Sequence, residues 1–177
     1  MRLLNRLWDL LALVIVLAIV WKLFFAPRSL DAGKAYPAPH AVYDRLDGGT
    51  FSVVQARGRV LFLDFYASWC EPCRRMMPAV EGFARDHPDV DVVPVDVGEP
   101  RPVAAAFAHE MNLANVVLDE KGLSRGFFGV DGFPTIVTID PQGRIRATWT
   151  GYNPAIALAM SSARRTLQAR SAPATSP

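Results

Sequence analysis

Cys70 and Cys73 are the only cysteines in the 177-residue chain, and two residues separate them. Two thiols at that spacing can close into a disulfide and reopen, which is redox chemistry that needs no external cofactor. They end the stretch Phe65-Tyr66-Ala67-Ser68-Trp69-Cys70-Glu71-Pro72-Cys73. A strand-forming run, 60–66, feeds into it and a helix-like run, 74–85, leaves it. The pair therefore sits where a buried strand turns into a helix. Free backbone N–H groups and the positive end of the helix dipole favour an anion there. The anion that matters is a thiolate, because only the thiolate attacks a disulfide. A dithiol/disulfide exchange site follows. A static structural disulfide fits this junction poorly.

Composition narrows the alternatives. A net charge of +2 is too small to suggest nucleic acid, and no basic patch interleaved with aromatics is present. Two cysteines make neither a disulfide-rich scaffold nor a structural zinc site. His40, His87 and His109 lie far from the pair and have no ligand spacing, so no metal is expected.

The elements that must position the pair read in order. Residues 7–26 are nearly all apolar, with Trp8 and Trp21 near opposite ends. Twenty residues of helix span about 30 Å, the thickness of a bilayer's hydrocarbon core. The run is long for a cleaved signal, and Pro27 follows it directly, so 1–26 is read as an uncleaved transmembrane anchor. Positive charges on its two sides nearly balance, and the short basic leader keeps the N-terminus in the cytoplasm. The cysteines then lie outside a bacterial inner membrane, on the periplasmic or extracytoplasmic side, where disulfides need sorting. A proline-containing tether, 27–39, leads to the folded domain, 40–170, and a small polar tail, 171–177, ends the chain.

Asp47-Gly48-Gly49 between two extended runs predicts an N-terminal β-hairpin. Residues 59–66 form the central strand, and Pro78 lies inside the following helix. Residues 90–97 make a strand, 102–111 a helix, 115–118 a short strand and 123–128 one or two helical turns. Residues 135–140 and 144–150 pair as the last strands, with the second at the sheet's edge. Residues 154–168 close the fold, with Ile156, Leu158, Ala159, Ala163 and Leu167 as apolar positions. The fold class is α/β: a central mixed β-sheet with helices covering both faces.

At this point the residues resemble a known family. The stretch 64–73 with Pro78 resembles the active-site strand and helix of thioredoxin, and Gly132-Phe133-Pro134-Thr135 resembles its cis-proline loop. The stretch from Ala38 to Gly49, the insertion 107–129 and the turn 139–145 narrow the likeness to the membrane-tethered TlpA/ResA branch, which includes DsbE/CcmG-like proteins. The resemblance covers about 37–168 and implies a thioredoxin-like fold. It implies that Cys70 is the exposed attacking thiol and Cys73 the buried resolving thiol. It also implies that Asp64 handles the resolving cysteine's proton, that Trp69 shields the pair, and that Phe133, a cis Pro134 and Thr135 align substrate.

Two departures stand out. Relatives often carry Glu three positions after the second cysteine, where this chain has Met76, and Asn where it has Asp64. The lysine that partners thioredoxin's buried acid is replaced by Pro94, so Asp64 is expected to hold its proton near pH 7. Glu71 disfavours the Cys70 thiolate and Arg74, one turn on, favours it. The two roughly offset, which argues against a strong oxidant. The expected activity is a reductant of exported protein disulfides, with apocytochrome c a common client in the resembling group and a membrane thiol carrier the electron donor. Two other readings stay open: a tethered oxidant or general exchange protein, and a non-catalytic redox-sensing module.

Overall fold

The computed structural model describes residues 8, 11–17 and 35–171. The described part of the expected anchor, 8 and 11–17, is helical and exposed; the rest of 1–34 and the tail from 172 lie outside the described residues. Among the described residues no helix is long and apolar enough to cross a membrane.

The elements run β1 (Tyr36–Pro37), β2 (Val42–Arg45), β3 (Thr50–Ser52), β4 (Leu61–Tyr66), α1 (Glu71–Asp86), β5 (Asp91–Val97), α2 (Arg101–Met111), β6 (Val117–Asp119), α3 (Ser124–Phe128), β7 (Thr135–Ile139), β8 (Arg144–Thr150) and α4 (Ile156–Ser171). The strands form one sheet in the order β1-β8-β7-β4-β5-β6-β2-β3. The β4–β5 and β5–β6 pairs are parallel, and β7 and β8 continue antiparallel from β4. The hairpin over Asp47-Gly48-Gly49 forms as β2 and β3, and both glycines take positive φ.

Every residue of β4 is buried, as its unbroken apolar run requires of a strand covered on both faces. On one face Phe62, Ile136 and Trp149 meet Met76, Val80 and Phe83 of α1 and Ile156, Met160, Ala163 and Leu167 of α4. On the other, Leu61, Leu63, Phe65 and Val95 meet Ala41, Val53 and Phe128.

Three expectations change. First, α1, α2 and α4 share one face, since Phe107 of α2 joins Tyr66 and Met77. The chain steps from β4 to β5 to β6 in one direction, so two crossovers of the same hand land on the same side. Only the short α3 and the segment around 38–56 cover the opposite face. Second, the edge beyond β8 is occupied. Tyr36 and Pro37, assigned to the tether, pair with Ile145 and Arg144. Proline is tolerated there because an outermost strand can leave an N–H position unused. Third, Leu158 of α4 is 73% exposed, and Met160 takes the inward place at 0%.

Phe62 stacks edge-on against Phe83 with ring centroids 5.5 Å apart. Phe62→Ala is expected to cost about 3–5 kcal/mol in denaturant unfolding. Leu158→Ala is expected to stay within about 0.5 kcal/mol.

Candidate functional site

Cys70 is the N-cap of α1. Its backbone is extended, and its sulfur accepts a hydrogen bond from the Cys73 N–H at 3.2 Å. Pro72 occupies the first turn, where its missing N–H costs nothing. Cys70 and Cys73 are joined in a disulfide with Cα atoms 5.3 Å apart. Cys70 is 4% exposed and Cys73 1%, so the sulfurs lie at the sheet's end under a thin cover.

The Phe133–Pro134 bond is cis. Thr135, the next residue, is paired with Phe65 at the end of β4, which brings this loop beside the cysteines. Phe133 packs against the cluster of Tyr66, Cys70, Cys73, Met77 and Phe107. Trp69 is 71% exposed and meets Phe133 edge-on with centroids 6.0 Å apart. It stands as an aromatic rim beside the disulfide. Pro134 is buried, and its carbonyl accepts from the Gly151 N–H at 2.8 Å. Thr135, expected among the substrate contacts, is fully buried. Its hydroxyl donates to the Gly132 carbonyl at 2.7 Å and lies 3.1 Å from the Thr150 hydroxyl, so its side chain braces the loop from inside.

Asp64 is 2% exposed, and one of its oxygens has no partner among the described residues. Its neighbour in β5 is Pro94, which supplies no counter-charge. Burial, with a further push from the Glu81 carboxylate on α1, raises its pKa from 3.8 to about 7. Burial also raises Glu81. The Tyr66 hydroxyl is buried without a partner, and burial together with Asp96, Asp64, Glu99 and Glu81 holds its pKa well above the usual phenol value.

Arg74 does not act as expected. Its guanidinium is paired with Glu110 of α2 at 2.6 Å, donates through Nε to the Ser68 carbonyl at 3.1 Å and lies 4.7 Å from the centre of the Phe107 ring. Glu110 neutralises the charge that was to favour the Cys70 thiolate. Glu71 and Arg75 face each other at 4.0 Å on the outer surface.

The sequence reading missed Asp96 and Glu99. Glu99 is 8% exposed and takes both the N–H and the hydroxyl of Ser68, at 2.5 and 2.6 Å. Asp96 is fully buried beside Tyr66 in the β4–β5 register. The available signal was an acid inside the valine run 90–97, in a strand whose neighbours cover it on both sides.

The Thioredoxin-like domain family model matches residues 49–160. The thiol-disulfide oxidoreductase ResA of Geobacillus thermodenitrificans is 30% identical over 154 residues, covering 85% of this chain and 88% of that protein. ResA of Halalkalibacterium halodurans is 28% identical, covering 83% and 88%. A Chlorobium tepidum crystal structure named for the thiol:disulfide interchange protein DsbE superposes with a TM-score of 0.68 at 30% identity, covering 76% of this chain and 95% of that one. The chain belongs to the thioredoxin-like family as a thiol-disulfide oxidoreductase of ResA type.

Proposed function

We propose that this protein is a membrane-tethered reductant of disulfides in exported proteins, with Cys70 as the attacking thiol. The observation that carries the reading is the Cys70–Cys73 pair at the N-terminus of α1, with the unpartnered Asp64 buried beneath the same helix. In the reduced protein the Cys70 thiolate attacks one sulfur of a client disulfide. A mixed disulfide forms and the other client sulfur leaves as a thiolate. Cys73 then loses its proton and attacks the Cys70 sulfur, which closes the Cys70–Cys73 bond and frees the second client thiol. Two electrons pass to the client, and two protons complete its thiols. A membrane thiol carrier reduces Cys70–Cys73 again.

The residues around the pair take complementary parts. Cys70, expected to be exposed, is 4% exposed and Cys73 1%, so their order of attack follows from Cys70 standing at the helix N-cap. Asp64 holds or accepts the Cys73 proton, since a carboxyl poised near neutrality can do either. Trp69, Phe133 and the backbone at Pro134 form the surface along which an extended client segment lies, and Thr135 supports it from within. The direction follows from the thiolate's surroundings. A strong oxidant needs a heavily stabilised thiolate. Here the near cation, Arg74, is spent on Glu110, and Glu71 adjoins Cys70. Apocytochrome c before haem attachment belongs to the client class. The apolar run 7–26 and the short basic leader before it support a single-pass anchor with the domain on the extracytoplasmic side of a bacterial inner membrane.

The partners and the direction are tested together. Cys73→Ala is expected to accumulate mixed disulfides with exported proteins, and Cys70→Ala to lose insulin reduction. The potential against thiol buffers is expected nearer the about −270 mV of thioredoxin than the about −120 mV of a strong oxidant. A non-catalytic module would leave both cysteine variants without effect.

Asp64 gives a second prediction. Its pKa is near 3.8 in the unfolded chain and about 7 in the folded one, so the folded protein keeps a proton that the unfolded protein releases between those values. The ionisation part of its burial cost is therefore absent below about pH 4, and stability falls as pH rises towards 7. Asp64→Asn is expected to match the parent in denaturant unfolding at pH 4. At pH 8 it should exceed the parent by up to about 4 kcal/mol.

A further inference from the structure

Two acids beneath the active-site loop take no part in the exchange described above. Glu99 binds Ser68, two residues before Cys70, with both carboxylate oxygens. Those oxygens accept from an N–H and an O–H. Asp96 is 0% exposed, and neither of its oxygens has a donor among the described residues. A buried carboxylate with no donor and no cation is costly. Asp96 nonetheless lies within side-chain hydrogen-bonding reach of Glu99. Two carboxylates cannot bond to each other. The contact becomes a hydrogen bond once Asp96 carries a proton and gives it to Glu99.

We propose that Asp96 is a positioning residue for the exchange reaction: by sharing its proton with Glu99 it holds that carboxylate on Ser68, and so holds the loop that presents Cys70. Burial first, and then the adjoining Glu99, push the Asp96 pKa up to about 7, which agrees with a retained proton. Among the described residues no donor bonds either Asp96 oxygen. From β4 come Tyr66, its register neighbour, and Asp64; from α1 come Glu81 and Arg74, the latter committed to Glu110 and the Ser68 carbonyl. From β6 comes Leu118, paired with it in register, and α2 covers that side with Ala104, Ala108 and Phe107. Losing the proton sets two carboxylates against each other. Glu99 is then driven from Ser68, and a second negative charge under the loop disfavours the Cys70 thiolate.

The inference rests on Cys70 being the attacking thiol, and the test separates the two ideas. In the full-length reduced protein carrying Cys73→Ala, Cys70 is the single thiol, and its alkylation by iodoacetamide is followed against pH. Asp96→Asn keeps a donor towards Glu99 but cannot ionise. Its alkylation midpoint is expected to fall by about half a unit to one unit below the parent's. Hydrogen exchange at the Ser68 amide is expected to match the parent in Asp96→Asn and to be about tenfold faster in Asp96→Leu, which has no donor. An unchanged midpoint together with equal Ser68 exchange in all three proteins overturns the proposal. If Asp96→Leu does not fold, the midpoint of Asp96→Asn decides alone. A Cys70 that resists alkylation in every variant counts against its role as attacking thiol, and Ser68 exchange still decides the part played by Asp96.

Discussion

The site depends on one constraint: β4 is covered on both faces, so its polar groups lie in a medium that cannot solvate charge. All six of its residues are buried, and Asp64 and Tyr66 are two of them. No cation enters from β5, where Pro94 stands opposite Asp64. Desolvation therefore has to be met by protons rather than by counter-ions. The same burial that gives the sheet its core gives the disulfide a floor of acids whose pKa values burial raises, Asp64, Glu81 and Asp96.

Charge is divided sharply by depth. Above the loop, Arg74 is matched by Glu110, and Glu71 faces Arg75 across one helical turn. These are exposed pairs, worth little to stability and easily screened. Below the loop, Asp64, Glu81, Asp96 and Glu99 act together on the Tyr66 hydroxyl, and Arg85 partly offsets Glu81. A thiolate at Cys70 gains the N–H groups of α1 and little more. A weakly stabilised thiolate leaves the Cys70–Cys73 disulfide less able to draw electrons back from client thiols, which supports the proposed reductant.

The parts legible in the sequence were those for which chemistry dictates residue type and spacing. Cys70, Cys73, Trp69 and Pro134 had to stand in a fixed relation to a strand end and a helix start, and they do. Asp64 was legible through the resemblance to thioredoxin's buried acid. Asp96 had no such counterpart, and its valine neighbours read as an ordinary strand. The meaning of Asp96 and Glu99 depends on Ser68, some 30 residues away, and only the fold joins them. Tyr36 and Pro37 gave no strand pattern, because two residues filling an open edge need only free backbone groups. Leu158 misled because helical spacing tells which residues share a face. It does not tell how far that face stays covered.

Met76, three positions after Cys73, packs into the apolar cluster with Phe62 and Val80. An acid at that position would enter the helix-facing core and add to the charge already borne by Asp64 and Glu81. The low-dielectric space under α1 holds few carboxyls before each added proton site disturbs the others. This chain places its acids on the strands and the loop after β5, and leaves the inner face of α1 apolar up to Glu81. The proton-handling role proposed for Asp64 is then attached to the sheet rather than to the helix that carries the cysteines.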